Sequence, residues 1–272
     1  MQNLISRLLS AGAALIILFS AIYFWQATGV FVIGIFVVLR GSFEMARMFF
    51  LNDCPKFSKI FFILLNLIGF LIITHPVFKS LSGIILVLMF LVTICYGIIL
   101  HKKFTDTDHV MAFITKCITG LIYCCYLPAT MIWITQTNNG MEWFYCLLAV
   151  VFAGDIGAYI FGVNFGKTKI APLLSPKKSL QGSLGGICFS LATAVSFLFL
   201  LPNTPIWVFV VCGLGGSILG QIGDFFESLI KRNAGVKDSG SIMPGHGGAL
   251  DRLDGVLMAA PLFYLAATYF SL

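Results

Sequence analysis

Nine apolar runs follow one another along this chain, near residues 5–25, 28–49, 59–75, 80–100, 111–135, 141–162, 184–201, 205–230 and 253–271, with only short polar breaks between them. A helix of about 20 apolar residues crosses the ~30 Å hydrocarbon core of a bilayer, so runs of this length read as spanning helices. Composition agrees: 59% of the residues are hydrophobic and only 10% are charged, against about 25% charged in a soluble domain. Such a chain cannot cover itself with a polar surface. The expectation is an all-α, polytopic membrane bundle of about nine transmembrane helices forming one integral membrane domain over residues 1–272.

The breaks carry turn chemistry, at Gln26 to Gly29, Asp53 to Pro55, His75-Pro76, His101 to Asp108, Asn138 to Gly140 and Pro202 to Pro205. The first run is longer than a signal-peptide core and lacks a convincing small-residue cleavage site, so a retained helix is expected. In the second run Arg40 and Glu44 stand one helical turn apart and are expected to pair within the bilayer. Placing the N-terminus in the cytoplasm puts the 17 lysines and arginines on the inner side, apart from Lys79 outside and Arg40 within a span. That asymmetry predicts an N-in, C-out topology.

Two connections are long and cytoplasmic in this topology, 163–183 and 231–252. Both fall in the C-terminal half, 141–272, which is therefore the expected catalytic part; residues 1–140 supply N-terminal helices. A basic tail, ribonucleoprotein motif or zinc spacing is not found, so nucleic acid is not an expected partner; the bilayer is. The eight cysteines include no CxxC and mostly lie inside apolar runs, which reads as packing rather than a disulfide or metal framework.

Polar chemistry is densest in GQIGDFFESLIKRNAGVKDSGSIMPGHGGALDRLDG, residues 220–255. Asp224 and Glu227 are carboxylates at or just inside the membrane, where charge is costly and by default functional. Asp224, Ser228 and Lys231 fall at i, i+4 and i+7 on one helix face, and Asp251 and Asp254 share a face at i, i+3. Gly245, Gly247 and Gly248 flank His246 and lead into a helix N-terminus, a pattern suited to close phosphate approach. Taken singly, each residue has a plainer reading as a cap, a turn residue or a basic membrane anchor. Their conjunction in one short stretch points to a site with carboxylates for a hard metal, cations for phosphates and a hydroxyl. Mg²⁺ needs little more than one or two carboxylates plus water and phosphate oxygens. The earlier loop adds an intramembrane Asp155, then Lys177-Lys178 ahead of Gly182, Gly185 and Gly186, a weaker pattern that suits a triphosphate or a lipid phosphate.

From Ser228 to Asp254 the sequence resembles the signature of the phosphatidate cytidylyltransferase (CDP-diglyceride synthetase) family: S-x-x-K-R, K-D, P-x-H-G-G and D-R-x-D. Ser228, Lys231, Arg232, Lys237, Asp238, Pro244, His246, Gly247, Gly248, Asp251, Arg252 and Asp254 occupy its fixed positions. GDIGAY at 154–159 and FGKTKIAPLLSPKKSLQG at 165–182 resemble the family's middle block, and FEMARM at 43–48 its N-terminal block. Ser179 and Gln181 depart from the Thr and Glu usual there. The resemblance implies transfer of cytidylyl from CTP to phosphatidic acid, giving CDP-diacylglycerol and pyrophosphate for phospholipid biosynthesis. It further implies Mg²⁺ on Asp224 and Asp251 with Asp254 in support, and a nearby monovalent cation such as K⁺. Ser228, Lys231, Arg232, Lys237 and Arg252 would then bind phosphates, with Asp238 and His246 beside them and Lys177 and Lys178 on the triphosphate or lipid headgroup. A general base is unnecessary, since a phosphate monoester is already ionised at neutral pH. A bacterial inner-membrane location with the site facing the cytoplasm, and a homodimer, are the matching expectations. The rivals are a polyprenol kinase or an archaeal ether-lipid cytidylyltransferase, and a transporter. The tight signature opposes the kinase, and the one-sided polar residues and lack of internal repeats oppose the transporter.

Overall fold

The computed structural model describes residues 2–50, 54–55, 57–240 and 247–270, and only the helical backbone of 2–19 and 21. The order is α1 (Gln2–Phe49), α2 (Ser58–Thr74), α3 (Ser82–Ile99), α4 (Thr107–Gly120), α5 (Leu127–Thr135), α6 (Gly140–Phe165), a hairpin of β1 (Lys169–Ala171) and β2 (Ser175–Ser179), then α7 (Leu180–Ser196), α8 (Ile206–Asn233) and α9 (Leu250–Phe270). Among the described residues seven helical spans are long and apolar enough to cross a membrane, and Ser58–Thr74 is a shorter apolar helix. The chain is a polytopic all-α membrane protein.

The turn chemistry of the sequence has structural counterparts. The first two apolar runs lie in one helix, α1, kinked at Gln26, where φ is 44° and ψ is −125°. That left-handed φ is uncommon for a residue with a side chain and breaks the helical path. His75-Pro76 opens a 3₁₀ turn, Pro76–Leu81, whose first free N–H groups are met in part by the His75 side chain. Asp106 caps α4 by accepting from the backbone N–H of His109 at 2.9 Å. The fifth run forms a single span, because a π-helical turn at Leu121–Tyr126 joins α4 to α5.

The described chain divides into two units. One comprises residues 1–129 with 236–250. Its core is a ring network: Phe62, fully buried, meets the rings of Phe49 and Phe50, and Phe113 meets those of Phe50, Phe61, Tyr96 and Phe104. Gly120 leaves the space that the Phe62 ring fills. Lys116 donates from Nζ to the Phe49 carbonyl at 2.7 Å, a cation on the unpaired carbonyl end of α1.

The expected Arg40–Glu44 pair is not what this unit contains. Arg40 stacks over the Phe43 ring, 5.4 Å from its centroid. Glu44 turns instead to Ser239 and to the backbone N–H groups of Ala249 and Leu250. Unpaired N–H groups at a helix start are an alternative counter-charge that helical spacing within α1 cannot reveal.

The second unit comprises residues 130–235 with 251–272. Here α6, α7 and α8 pack through small residues. A Cβ at Gly157 would stand 2.7 Å from the Gly185 carbonyl, one at Gly182 2.8 Å from that of Ala158, and one at Gly186 2.9 Å from that of Gly154. Small residues let membrane helices approach backbone to backbone, where packing rather than the hydrophobic effect drives association. Ser190 Oγ donates to the Val150 carbonyl at 2.8 Å across the same contact. Trp143 and Phe209 stack with ring centroids 5.7 Å apart.

Candidate active site

Between the polar ends of α6, α7, α8 and α9 in this second unit lies a cavity of about 560 Å³. Its acidic lining is Asp155 from α6, Asp224 and Glu227 from α8, and Asp251 and Asp254 from α9; its basic lining is Lys177, Lys178, Lys231 and Arg252. Close backbone approach explains the convergence. A Cβ at Gly223 would collide with the Asp254 carbonyl, and Gly255 sits against Gly220. These glycines let the carboxylates of α8 and α9 face one space.

The ion pairs organise the site. Lys231 Nζ donates to Asp251 Oδ1 at 2.6 Å and to Glu227 Oε2 at 3.0 Å. These side chains are 12%, 11% and 1% exposed for Lys231, Asp251 and Glu227. Glu227 Oε1 is buried with no hydrogen-bond partner among the described residues. Lys178 Nζ pairs with Asp224 Oδ2 at 2.5 Å and lies over the Phe225 ring, 4.5 Å from its centroid. Ser228 Oγ, nearly buried, donates to Asp224 Oδ1 at 3.4 Å, and Asp254 Oδ1 accepts from the N–H of Gly255 at 2.8 Å. Asp224, Ser228 and Lys231 thus share the helix face expected from their spacing.

Of the residues read from the sequence, Lys177, Lys178, Asp224, Lys231, Asp251, Arg252 and Asp254 are brought together around the cavity, with Ser228 behind Asp224. Arg232 is exposed on α8 and is not among the lining residues, and Lys237 and Asp238 are exposed in the first unit. His246 and Pro244 lie outside the described residues. Glu227 and Asp155, noted in the sequence as intramembrane carboxylates without an assigned role, also line it, as do Gln221 and Ser183. A signal for Glu227 was present: it stands four residues before Lys231, the spacing of a helical ion pair.

At the two glycine-rich helix starts read as phosphate cradles the structure shows caps and packing, while Gly182 also lines the cavity and Gly245 lies outside the described residues. The hydroxyl of Ser179 caps α7, accepting from the N–H of Gly182 at 3.2 Å, while Gly182, Gly185 and Gly186 pack against α6. Thr serves as an N-cap as Ser does, which accounts for the exchange at 179. At α9 the N–H groups of Ala249 and Leu250 are taken by Glu44. Gln181 Oε1 accepts from the N–H groups of Lys167 and Thr168 at 3.1 and 3.2 Å, tying the hairpin to α7. A Glu offers the same acceptor oxygen, so the departure at 181 preserves the tie.

The model of the cytidylyltransferase family matches residues 5–270. The chain belongs to that family. Relatives of the chain include the phosphatidate cytidylyltransferase of Mycobacterium bovis, 41% identical over 132 residues, which are 48% of this chain and 43% of the relative. The protein of that name from Staphylococcus haemolyticus is 36% identical over 178 residues, 65% of this chain and 66% of the relative. Its Staphylococcus aureus counterpart is 33% identical over 178 residues, with the same shares. The matched segment spans less than half the length of the mycobacterial relative and just under two thirds of the staphylococcal ones.

Proposed function

We propose that this member of the cytidylyltransferase family transfers a cytidylyl group from CTP to phosphatidic acid. A phosphate oxygen of the lipid attacks the α-phosphorus of CTP, the bond from that phosphorus to the β-phosphate oxygen breaks, and CDP-diacylglycerol and pyrophosphate leave. The observation that carries this reading is the mixed-charge cavity at the membrane-helix ends, in a chain whose family transfers cytidylyl groups. In-line transfer between two phosphates asks for positioning and charge neutralisation rather than covalent chemistry. Lys177, Lys178, Lys231 and Arg252 are the cations available to hold phosphate oxygens. Lysines act here as mobile point charges, and Arg252 as a fork.

Five carboxylates against four cations leave the lining without the positive charge that two phosphate substrates require. That imbalance, with the unpartnered buried oxygen of Glu227, fits a divalent cation. Among the described residues no group of three or more His, Cys, Asp or Glu side chains could hold a metal ion by itself; an Mg²⁺ ion bound through one or two carboxylates would draw its other ligands from water and phosphates. Asp224 and Asp251 are the ligands we assign, with Asp254 in support and a monovalent cation beside them. When bound, the ion would supply Lewis-acid neutralisation of the transferring phosphate. Lys178 and Lys231 meanwhile hold Asp224 and Asp251 in place through their ion pairs.

The basic residues of the loops support a site facing the cytoplasm; a bacterial inner membrane and a homodimer belong to the same reading. Detergent-solubilised protein given labelled CTP, Mg²⁺ and phosphatidic acid is expected to label the lipid fraction. Asp224→Asn and Asp251→Asn are expected to abolish labelling while eluting as monodisperse protein. Label transfer that persists in both variants overturns the metal assignment, and its absence from the wild type overturns the reaction.

A further inference from the structure

We infer that Glu44, from the membrane helix α1, is a positioning residue that sets the start of α9. Its functional consequence rests on the cytidylyl-transfer reading above; its structural content does not. Glu44 is 1% exposed. Its Oε1 accepts from the N–H of Ala249 at 3.0 Å, and its Oε2 accepts from the N–H of Leu250 at 3.1 Å and from the Ser239 hydroxyl at 3.1 Å. The first N–H groups of any helix lack partners within it, and here a carboxylate from a distant helix supplies them. Charge-assisted bonds of this kind are stronger than neutral ones, and negative charge suits the positive end of the helix.

The surroundings are shaped for that carboxylate. A Cβ on Gly240 would stand 2.6 Å from Glu44 Oε1, and one on Gly248 would collide with Oε2 and the Ser239 hydroxyl. Leu250 is also gripped by its side chain, 1% exposed. A Cβ at Gly41, one turn before Glu44, would stand 2.9 Å from Leu250 Cδ2. Helix α1 therefore fixes both the backbone and the side chain of the residue preceding Asp251. Asp251 in turn holds Lys231 at 2.6 Å. Fraying the first turn of α9 would move Asp251 and slacken that bond, although Glu44 itself bonds only Ser239, Ala249 and Leu250 and none of the groups proposed to meet substrate.

Glu44→Gln keeps the size of the side chain but turns an amide N–H₂ toward backbone donors. Gly240→Ala keeps the charge and pushes the carboxylate off its position, so it carries the test if the Gln variant fails to fold. Hydrogen exchange by mass spectrometry on peptides covering 247–253 is read beside steady-state kinetics per monodisperse protein. Faster exchange at Ala249 and Leu250, with 140–235 unchanged, is expected, as is kcat lowered by about 100-fold, the cost of a ~1 Å misplacement, with the KM for CTP little altered. Wild-type exchange at 249–250 in both variants overturns the inference. So does fraying at 249–250 with kcat intact, or a protein that loosens uniformly. Local fraying in a preparation whose wild type transfers no cytidylyl group supports the cap and sinks the reaction instead.

Discussion

Replacing Lys231 by Met should separate what the lysine does for stability from what it does for chemistry. Lys231 is 12% exposed and bridges two acids, Asp251 at 11% and Glu227 at 1%. Removing one partner of a buried ion pair leaves uncompensated charge and costs about 3–5 kcal/mol. The Met side chain restores most of the packing, so nearly all of that loss is electrostatic. Among the described residues the other oxygen of Glu227 has no hydrogen-bond partner that could share the charge. With roughly 2–4 °C of melting temperature per kcal/mol for a chain of this size, the midpoint should fall on the order of 10 °C. Intrinsic tryptophan fluorescence in detergent reads this directly, because Trp133 and Trp143 are buried in the same unit. The double variant Lys231→Met with Glu227→Gln removes the more buried orphan charge and should recover about half of the loss, while transfer activity stays absent in both. A Lys231→Met protein that melts with the wild type, or a double variant that melts below the single one, refutes the bridging role.

Three further substitutions probe the parts that shape the site. Ser179→Ala removes the cap on α7 and should cost about 1 kcal/mol, seen as faster exchange at Gly182; Ser179→Thr should leave both stability and rate unchanged. Gln181→Glu should retain wild-type transfer because the acceptor oxygen is kept, whereas Gln181→Leu leaves the Lys167 and Thr168 N–H groups unanswered and should loosen the hairpin and lower the rate, compared by exchange and initial velocity. Gly157→Leu places a side chain where a Cβ already stands 2.7 Å from the Gly185 carbonyl, so it should prevent α6 and α7 from packing and yield aggregated protein on size-exclusion chromatography.

The sequence made much of this legible because the bilayer imposes simple rules. Apolar length marked the helices, and Pro, Gly and Asp marked the breaks, down to the kink at Gln26. Helical spacing put Asp224, Ser228 and Lys231 on one face, and Asp251 with Asp254 on another. Spacing within one helix says nothing of partners on another, so the pairing of Lys178 with Asp224 and of Lys231 with Asp251 was out of reach. Glycine was ambiguous for a physical reason. The lack of a side chain serves close phosphate approach and close helix packing equally; Gly182, Gly185 and Gly186 all pack against α6, and Gly182 also lines the cavity. Glu44 was read against its neighbour Arg40, when its partners lie some 200 residues away.

Cytidylyl transfer is tested most directly by the fate of two labels. CTP carrying ³²P at the α-position is incubated with the protein, Mg²⁺ and phosphatidic acid, in parallel with CTP labelled at the γ-position. Attack at the α-phosphorus predicts that the α-label enters the lipid fraction while the γ-label leaves as pyrophosphate. If the γ-label enters the lipid instead, the chain transfers a phosphoryl group and acts as a kinase. If neither label enters, phosphatidic acid is not its acceptor.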